Sequence, residues 1–260
     1  MSNVGGALMM DPASDQHIAS SVANADGSGI WRVVSAVVRG PNHEREGSGC
    51  DDACQYRIEH DWLVAVICDG AGGAAAGGRG AKLASTLTAD LLINRVSRRS
   101  PLVPLRELLK STLVQVHSEL SAAAKLDELS LPDLSTTIIG AVLRGRRGLL
   151  FHVGDGLAVA FSGDGTVVGR SDGTPKAYAN EPCFLTDPAW ETHLVVSAAN
   201  SATEVMLMTD GVSPFAVRRD SLNQAFISHV RARARHGTEV EGSAALEAML
   251  DHPRAREEVG

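Results

Sequence analysis

Residues 62–73 read WLVAVICDGAGG, and this segment carries the clearest structural signal in the chain. Its first seven residues are almost entirely apolar, and a short apolar run bounded by turn residues is typical of a strand buried on both faces. Asp69 and several glycines follow at once, so the strand ends in an acidic turn that backbone and ligands can approach closely. The stretch therefore predicts a strand at the centre of a sandwich, with a carboxylate at its end.

Further strands are predicted on both sides of this one. Residues 31–38 (WRVVSAVV) form a β-branched run, and the breaker-rich residues 39–51 are interpreted as a loop. The SGDG sequence at residues 162–165 is a strong hairpin signal. The other predicted strands cover residues 136–144, 149–153, 157–161, 166–168 and 205–208.

Leucines at helical spacing predict two helices between these groups of strands. The first follows the glycine-rich turn and carries Leu83, Leu87, Leu91 and Leu92. The second covers residues 104–125, and its expected buried positions are Leu108, Leu109, Val114, Val116 and Leu120. More helix is predicted over residues 222–235 and 244–250. The order of strands, two helices, strands and helices favours packed layers of sheet and helix over strict βαβ alternation.

Composition limits the class of protein. The chain has 260 residues, 24 Lys+Arg against 31 Asp+Glu, a formal net charge of −7 and 44% hydrophobic residues. These values predict one globular domain over residues 30–260 after a flexible tail over residues 1–29, and they exclude a disordered or fibrous chain. The acidic balance argues against binding to nucleic acid or to an anionic membrane, because both surfaces would repel it.

Localisation follows from what the sequence lacks. No apolar run reaches the roughly 20 residues of a membrane span, and the first residues do not resemble a signal peptide. We therefore expect a cytoplasmic protein with reduced thiols. Cys50 and Cys54 lie four residues apart, but no second ligand cluster accompanies them, so a zinc site is disfavoured.

Three Asp-Gly pairs follow or flank short apolar strands, at Asp69, Asp155 and Asp210. Any one of them alone is more often a plain turn. Strand ends converge at one rim of a sheet, however, and converging carboxylates repel one another unless a cation lies between them. Mg²⁺ and Mn²⁺ favour such oxygen ligands, so the three pairs favour a divalent metal site.

Six segments, in order along the chain, resemble motifs of the metal-dependent type 2C protein Ser/Thr phosphatases (PPM-type), bacterial subgroup. They are GPNHEREGSGCDDA, CDGAGG, STTIIGAVL, FHVGDG, YANEPCFLTD and MTDGV. The resemblance extends from about residue 31 to residue 215, roughly 70% of the chain. It implies an α+β fold, a four-layer α-β-β-α sandwich with two central antiparallel sheets. It also implies hydrolysis of phosphoserine and phosphothreonine esters in phosphorylated protein substrates, with a Ser/Thr kinase or its targets as partners.

The resemblance further implies two ions, Mn²⁺ or Mg²⁺, and a hydroxide bridging them as the nucleophile. In this family pattern Asp69 would bind both ions, the Gly70 carbonyl one of them and Asp210 the other. Asp52 would hold metal-bound water. No ligand role transfers to Asp155, for which a structural turn is expected.

The sequence departs from the family pattern in two places. Eukaryotic members place a phosphate-binding Arg where this chain has Gly47, and Arg39, His43 and Arg45 are the nearby replacements. His43 could donate a hydrogen bond to phosphate or protonate a leaving group, or it could be an ordinary loop histidine, and both interpretations stay open.

The second departure is at the carboxyl end of the chain. The family's last motif, which carries a third metal-binding Asp on a late strand, is absent, so the fold could lack its final strand. Glu257 and Glu258 could replace that Asp, or they are solvated charges in a terminal helix.

Other functions are weighed against this one. The missing Arg and third carboxylate favour, as the alternative, a catalytically weak or inactive phosphatase-like protein that binds a phosphoprotein or regulates a kinase. A third hypothesis is a structural domain whose Asp-Gly pairs are only turns. A cysteine-based phosphatase is disfavoured because no cysteine has Arg six residues later, and no nucleotide-binding P-loop is present.

Overall fold

The structure is a computed structural model that describes residues 20–25, 31–38, 51–98, 104–172, 183–219 and 221–251. Two five-stranded antiparallel sheets form its centre. The first sheet contains, in spatial order, β3 (Asp52–Glu59), β4 (Trp62–Asp69), β5 (Ile138–Arg144), β6 (Arg147–Val153) and β9 (Val195–Asn200). The second contains β2 (Trp31–Ala36), β1 (Ser20–Ala25), β10 (Glu204–Met208), β7 (Leu157–Phe161) and β8 (Val167–Asp172).

Helices cover the outer face of each sheet. The longer elements are α1 (Gly77–Ser97), α2 (Leu105–Leu126), α5 (Gln224–Ala234) and α6 (Glu239–Leu250). Short elements complete the described chain: a 3₁₀ turn (Leu131–Leu134), α3 (Trp190–His193), α4 (Ser213–Ala216) and a hairpin of β11 (Val217–Arg218) and β12 (Ser221–Leu222).

Three apolar clusters hold these layers together. One lies between the first sheet and α1 and α2, one lies between the two sheets, and one lies between the second sheet and α5 and α6. The protein is therefore an α+β sandwich with layers in the order α-β-β-α, which confirms the expected fold.

Strand β4 shows why its sequence is almost entirely apolar. Val64, Val66 and Cys68 point into the cluster under the helices, whereas Leu63 and Ile67 point into the cluster between the sheets. Both faces of the strand are covered, so neither set of alternating positions meets water. The strand lies between β3 and β5, as the sequence predicts for a central strand.

The helix over Leu105–Leu126 confirms the second predicted helix, with one correction to its buried face. Leu109, Leu113, Val116 and Leu120 are fully buried, at spacings of four and three residues. Val114, predicted to be buried, is 45% exposed. It lies one residue beyond Leu113, about 100° further round the helix, and so points away from the sheet.

The tail predicted over residues 1–29 is wrong at Ser20–Ala25. These residues form β1, which pairs antiparallel with β2 on one side and with β10 on the other. Strands β3 and β9 were also not predicted. Up to residue 251, no described strand follows β12, and the chain continues into α5 and α6.

No helix within the described ranges combines the length and apolar character that crossing a bilayer requires.

Candidate active site

Asp52 and Asp69 are partners in the antiparallel pairing of β3 with β4. Partner positions carry their side chains on the same face of a sheet. Asp69 lies two residues beyond Ile67, which points into the space between the sheets, and successive side chains alternate. Both carboxylates therefore extend from the first sheet towards the second.

Asp210 approaches from the second sheet. It follows β10, which lies at the centre of that sheet. The buried Thr209 precedes it and places its Oγ1 atom 3.4 Å from Asp52 Oδ2. The Asp69 carboxyl group lies within hydrogen-bonding range of the carboxyl groups of both Asp52 and Asp210. The structure thus brings together three of the acidic residues singled out in the sequence.

Burial and negative neighbours dominate the electrostatics of Asp69. Loss of solvent, the charges of Asp52 and Asp210, and hydrogen bonds with both together raise its pKa from 3.8 to about 11, and loss of solvent is the largest cause. Without a cation the Asp69 carboxyl group therefore favours the protonated form. A bound divalent ion would offset the repulsion and favour the charged form.

The donors fit Mg²⁺ or Mn²⁺ in chemical type, because these ions prefer carboxylate and carbonyl oxygens. Among the described residues, however, no three His, Cys, Asp or Glu side chains are arranged around one point so as to hold a metal ion. The assignment of Asp52, Asp69, Asp210 and the Gly70 carbonyl as ligands stays a prediction.

Gly70 is required at its position by close backbone packing. Its N–H donates to the Asp51 carbonyl at 2.8 Å, and a Cβ atom here would overlap the backbone of Gly77 and lie 2.6 Å from Gly78 N. A Cβ on Gly77 would in turn lie 2.6 Å from the Ala71 carbonyl oxygen. The first turn of α1 therefore lies directly against the turn that follows Asp69.

Asp155 differs from the other two Asp-Gly positions. It lies in the turn between β6 and β7 and is exposed, between Gly154 at φ 122° and the buried Gly156. A Cβ on Gly156 would lie 2.6 Å from the Met208 carbonyl oxygen. These glycines account for the tight turn, and a structural role for Asp155 remains the interpretation.

The described cysteines next to the site are poor nucleophiles. Cys68 is fully buried, and burial together with the charges of Asp52 and Asp69 raises its pKa well above 9.0. Burial, assisted by Asp187, raises the pKa of Cys183 to about 12. Nucleophilic cysteines need a lowered pKa, so the structure gives these two thiols no catalytic role.

Several residues considered from the sequence lie outside the described residues. They are Arg39, His43, Arg45, Gly47, Glu257 and Glu258. Their roles stay predictions. Thr209 was not singled out as a separate residue from the sequence, although it lies within the MTDGV segment, and its contact with Asp52 depends on the packing of one sheet on the other.

Comparisons with known proteins identify relatives of this chain. The sequence profile of the family described as protein phosphatase 2C matches residues 39–251. Serine/threonine-protein phosphatase 3 of Escherichia coli is 30% identical over 196 residues, which cover 72% of this chain and 76% of that protein.

Two solved structures share the fold. The serine/threonine phosphatase PstP/Ppp of Mycobacterium tuberculosis superposes with a TM-score of 0.51 at 16% identity, covering 93% of this chain and 94% of that one. A bacterial serine phosphatase gives a TM-score of 0.51 at 13% identity and covers 94% of this chain and 93% of its own. At these identities the likeness concerns the fold alone.

Proposed function

The chain belongs to the protein phosphatase 2C family and is a serine/threonine protein phosphatase, and we propose that two divalent ions, Mn²⁺ or Mg²⁺, serve its reaction. The observation that carries the proposal is the contact of the Asp69 carboxyl group with those of Asp52 and Asp210. Three acidic groups this close, at the partly buried Asp52 and Asp69 and the exposed Asp210, repel one another unless a cation balances them.

Each residue has a distinct part in the proposed site. Asp69 would hold both ions, the Gly70 carbonyl one of them and Asp210 the other, while Asp52 would orient water. Ions bound there would supply the Lewis acidity that generates a hydroxide nucleophile from water at neutral pH and polarises a phosphoryl oxygen.

The protein itself contributes the fixed positions of these groups. Asp52 is held opposite Asp69 by the strand pairing, and the Thr209 hydroxyl contacts its carboxylate from the other sheet. His43 remains the proposed donor to the phosphate or to the leaving group. The proposed substrates are phosphorylated proteins, including a Ser/Thr kinase or its targets, and the proposed compartment is the cytoplasm.

The test compares hydrolysis of p-nitrophenyl phosphate and of a phosphothreonine peptide with and without Mn²⁺. The wild type and Asp69→Asn are assayed beside Asp155→Asn, which changes a second strand-end Asp-Gly pair outside the carboxyl contact. We expect Mn²⁺-dependent turnover by the wild type and by Asp155→Asn, and loss of turnover for Asp69→Asn. Equal rates in every combination would contradict the proposal.

One observation favours a second function, a phosphatase-like protein with weak or no catalysis that binds a phosphoprotein or regulates a kinase. Within the described residues the three acidic side chains do not form a completed metal centre. Calorimetry separates the two functions. Phosphopeptide binding without any Mn²⁺ binding at millimolar concentration would favour this second function.

A further inference from the structure

The pairing of β4 with β5 is interrupted at Asp69. The register Ile67↔Ile139 continues to Asp69 opposite Thr137 and then to an isolated bridge between Gly70 and Thr136. Thr137 N–H donates to the Asp69 carbonyl at 2.8 Å, as a regular ladder requires. The reciprocal bond is different, because Asp69 N–H donates to the side-chain Oγ1 of Thr137 at 3.1 Å.

The hydroxyl group of Thr136 also takes part in this altered hydrogen bonding. Thr136 Oγ1 lies 3.0 Å from the Asp69 carbonyl oxygen and 3.0 Å from the Thr137 carbonyl oxygen, so its single O–H is shared between these two acceptors. The Thr137 carbonyl, which a regular ladder would pair with Asp69 N–H, therefore finds its partner in Thr136. Both peptide groups of Asp69 are held by two buried threonines, which are 0% and 4% exposed.

Packing fixes the direction of the Thr137 hydroxyl. A Cβ on Gly154 would lie 2.6 Å from Thr137 Cγ2, so the threonine methyl group rests against a backbone that has room only for glycine. With the methyl group held there, Oγ1 faces the Asp69 N–H. The rotamer of Thr137 is thus constrained by the turn after β6 as well as by its bond to Asp69.

The threonine segment is itself anchored on its far side. Thr136 C=O accepts from Leu185 N–H at 2.8 Å, and Ser135 Oγ lies 3.2 Å from Thr186 Oγ1. Ser135 C=O accepts from Ala71 N–H at 2.9 Å. The residues that hold Asp69 are therefore fixed by two other segments of the chain.

We propose that Thr137 is a positioning residue for Asp69. Its hydroxyl replaces one ladder bond, keeps the end of β4 out of regular pairing and so sets the direction in which the Asp69 carboxylate meets Asp52 and Asp210. Without the hydroxyl, Asp69 N–H can regain a partner only by moving onto the Thr137 carbonyl, which turns the carboxylate. The inference rests on the proposed role of Asp69 in holding divalent ions.

The experiment measures Mn²⁺ affinity directly, by calorimetry on the metal-free protein, for Thr137→Val and Thr137→Ser. Thr88→Val is the matched control, because Thr88 is also buried but its hydroxyl has no hydrogen-bond partner among the described residues. We expect Thr137→Val to weaken Mn²⁺ binding by about 10- to 100-fold, the range found for residues that orient metal ligands. Thr88→Val should bind as the wild type does, and Thr137→Ser, which keeps the hydroxyl but loses the methyl group that directs it, should retain most of the affinity.

Kinetics provide the second readout. The Mn²⁺ concentration for half-maximal activity should rise for Thr137→Val, while kcat at saturating Mn²⁺ falls much less, and serine should restore most of both. If valine prevents folding, as judged by circular dichroism, Thr137→Ala removes the same hydroxyl without added bulk. A folded Thr137→Val or Thr137→Ala protein with wild-type Mn²⁺ affinity, or a serine variant as weak as valine, would overturn the inference and leave the proposed function intact. Absence of Mn²⁺ binding by the wild type would overturn both.

Discussion

Asp52 and Asp69 occupy directly opposite positions of the antiparallel pair β3–β4, so carboxylates from two separate sequence motifs lie side by side at one end of the first sheet. The β3–β4 hairpin brings the two residues together, because it folds the chain back on itself at residues 60–61. Their proximity has a cost for the metal-free fold, since burial and like charge both act against the ionised form of Asp69.

That cost predicts the stability of Asp69→Asn. In the presence of a chelator, we expect its free energy of unfolding to exceed that of the wild type by about 1–2 kcal/mol, because active-site carboxylates often oppose stability. Urea denaturation followed by circular dichroism measures the difference. The exposed Asp155→Asn is the control and should change stability by less than about 0.5 kcal/mol. A less stable Asp69→Asn protein would contradict this account.

Close packing at Gly70 predicts a second pair of variants. Gly70→Ala places a methyl group against the backbone of Gly77 and Gly78, and we expect a loss of about 1–3 kcal/mol in stability together with loss of activity. Gly73→Ala is the matched control, because a Cβ at that position meets nothing within 4 Å. Thermal unfolding and phosphatase assays should separate the two alanine variants, and similar behaviour of both would show that packing at Gly70 is unimportant.

A buried ion pair joins the second sheet to α5. Glu204, 2% exposed at the start of β10, contacts Arg231 at 2.5 Å and also Arg235. Glu204→Gln leaves the partly buried Arg231 without its counter-charge, and we expect a loss of about 3 kcal/mol. Asp61→Asn breaks an exposed pair with Arg144 of similar geometry, 2.8 Å, and should cost less than about 1 kcal/mol. If the two variants lost the same free energy of unfolding in denaturant titrations, the burial of Glu204 would not explain how much its ion pair stabilises the protein.

His152 predicts the dependence of stability on pH. It lies buried with Nδ1 2.7 Å from Ser171 Oγ, and burial lowers its pKa from 6.5 to about 4 against the opposing charge of Asp172. Well above pH 6.5 the side chain is neutral in both the folded and the unfolded state, so it adds nothing to the dependence of stability on pH. Between pH 6.5 and 4 the unfolded chain binds a proton that the folded chain does not, so stability falls by up to about 3 kcal/mol.

The measurement for His152 is a series of urea titrations from pH 7.5 to pH 4.5, with His152→Gln as the comparison. The variant cannot bind this proton, so its stability should decline less steeply over the same interval. Parallel curves for the two proteins would show that His152 does not titrate differently in the folded and unfolded states.

The sequence predicted those parts of the fold whose pattern is local. Strand β4 was predicted because it is one continuous apolar run, and α1 and α2 were predicted because apolar residues recur at helical spacing. Strand β3 was missed because its sequence, DACQYRIE, is largely polar. It lies at the edge of the first sheet, where Arg57 reaches Asp90 of α1 at 2.8 Å and no continuous apolar run is needed.

Strand β1 was missed for a different reason. Its sequence, SSVANA, has no strong propensity, and its place in the second sheet depends on pairing with β2 and with β10, which follows about 180 residues later in the chain. Such long-range pairing leaves no local signal. In the site, the sequence motifs identified Asp52, Asp69 and Asp210. The hydroxyl that replaces a ladder bond at Asp69 depends on register and on the rotamer of Thr137, neither of which a sequence pattern encodes.

The contact of Gly77 with the turn after Asp69 fixes one end of α1 against the backbone of that turn. The helix has 21 residues, so its far end at Ser97 lies about 31 Å from that contact. A tilt of one degree about the contact would move the far end by roughly 0.5 Å for this length. Arg95, bonded to Thr112 at 2.8 Å and Gln115 at 2.5 Å on α2, braces that end. Packing at Gly77 and hydrogen bonds at Arg95 therefore connect the outer helical layer to the backbone beside the proposed metal ligands.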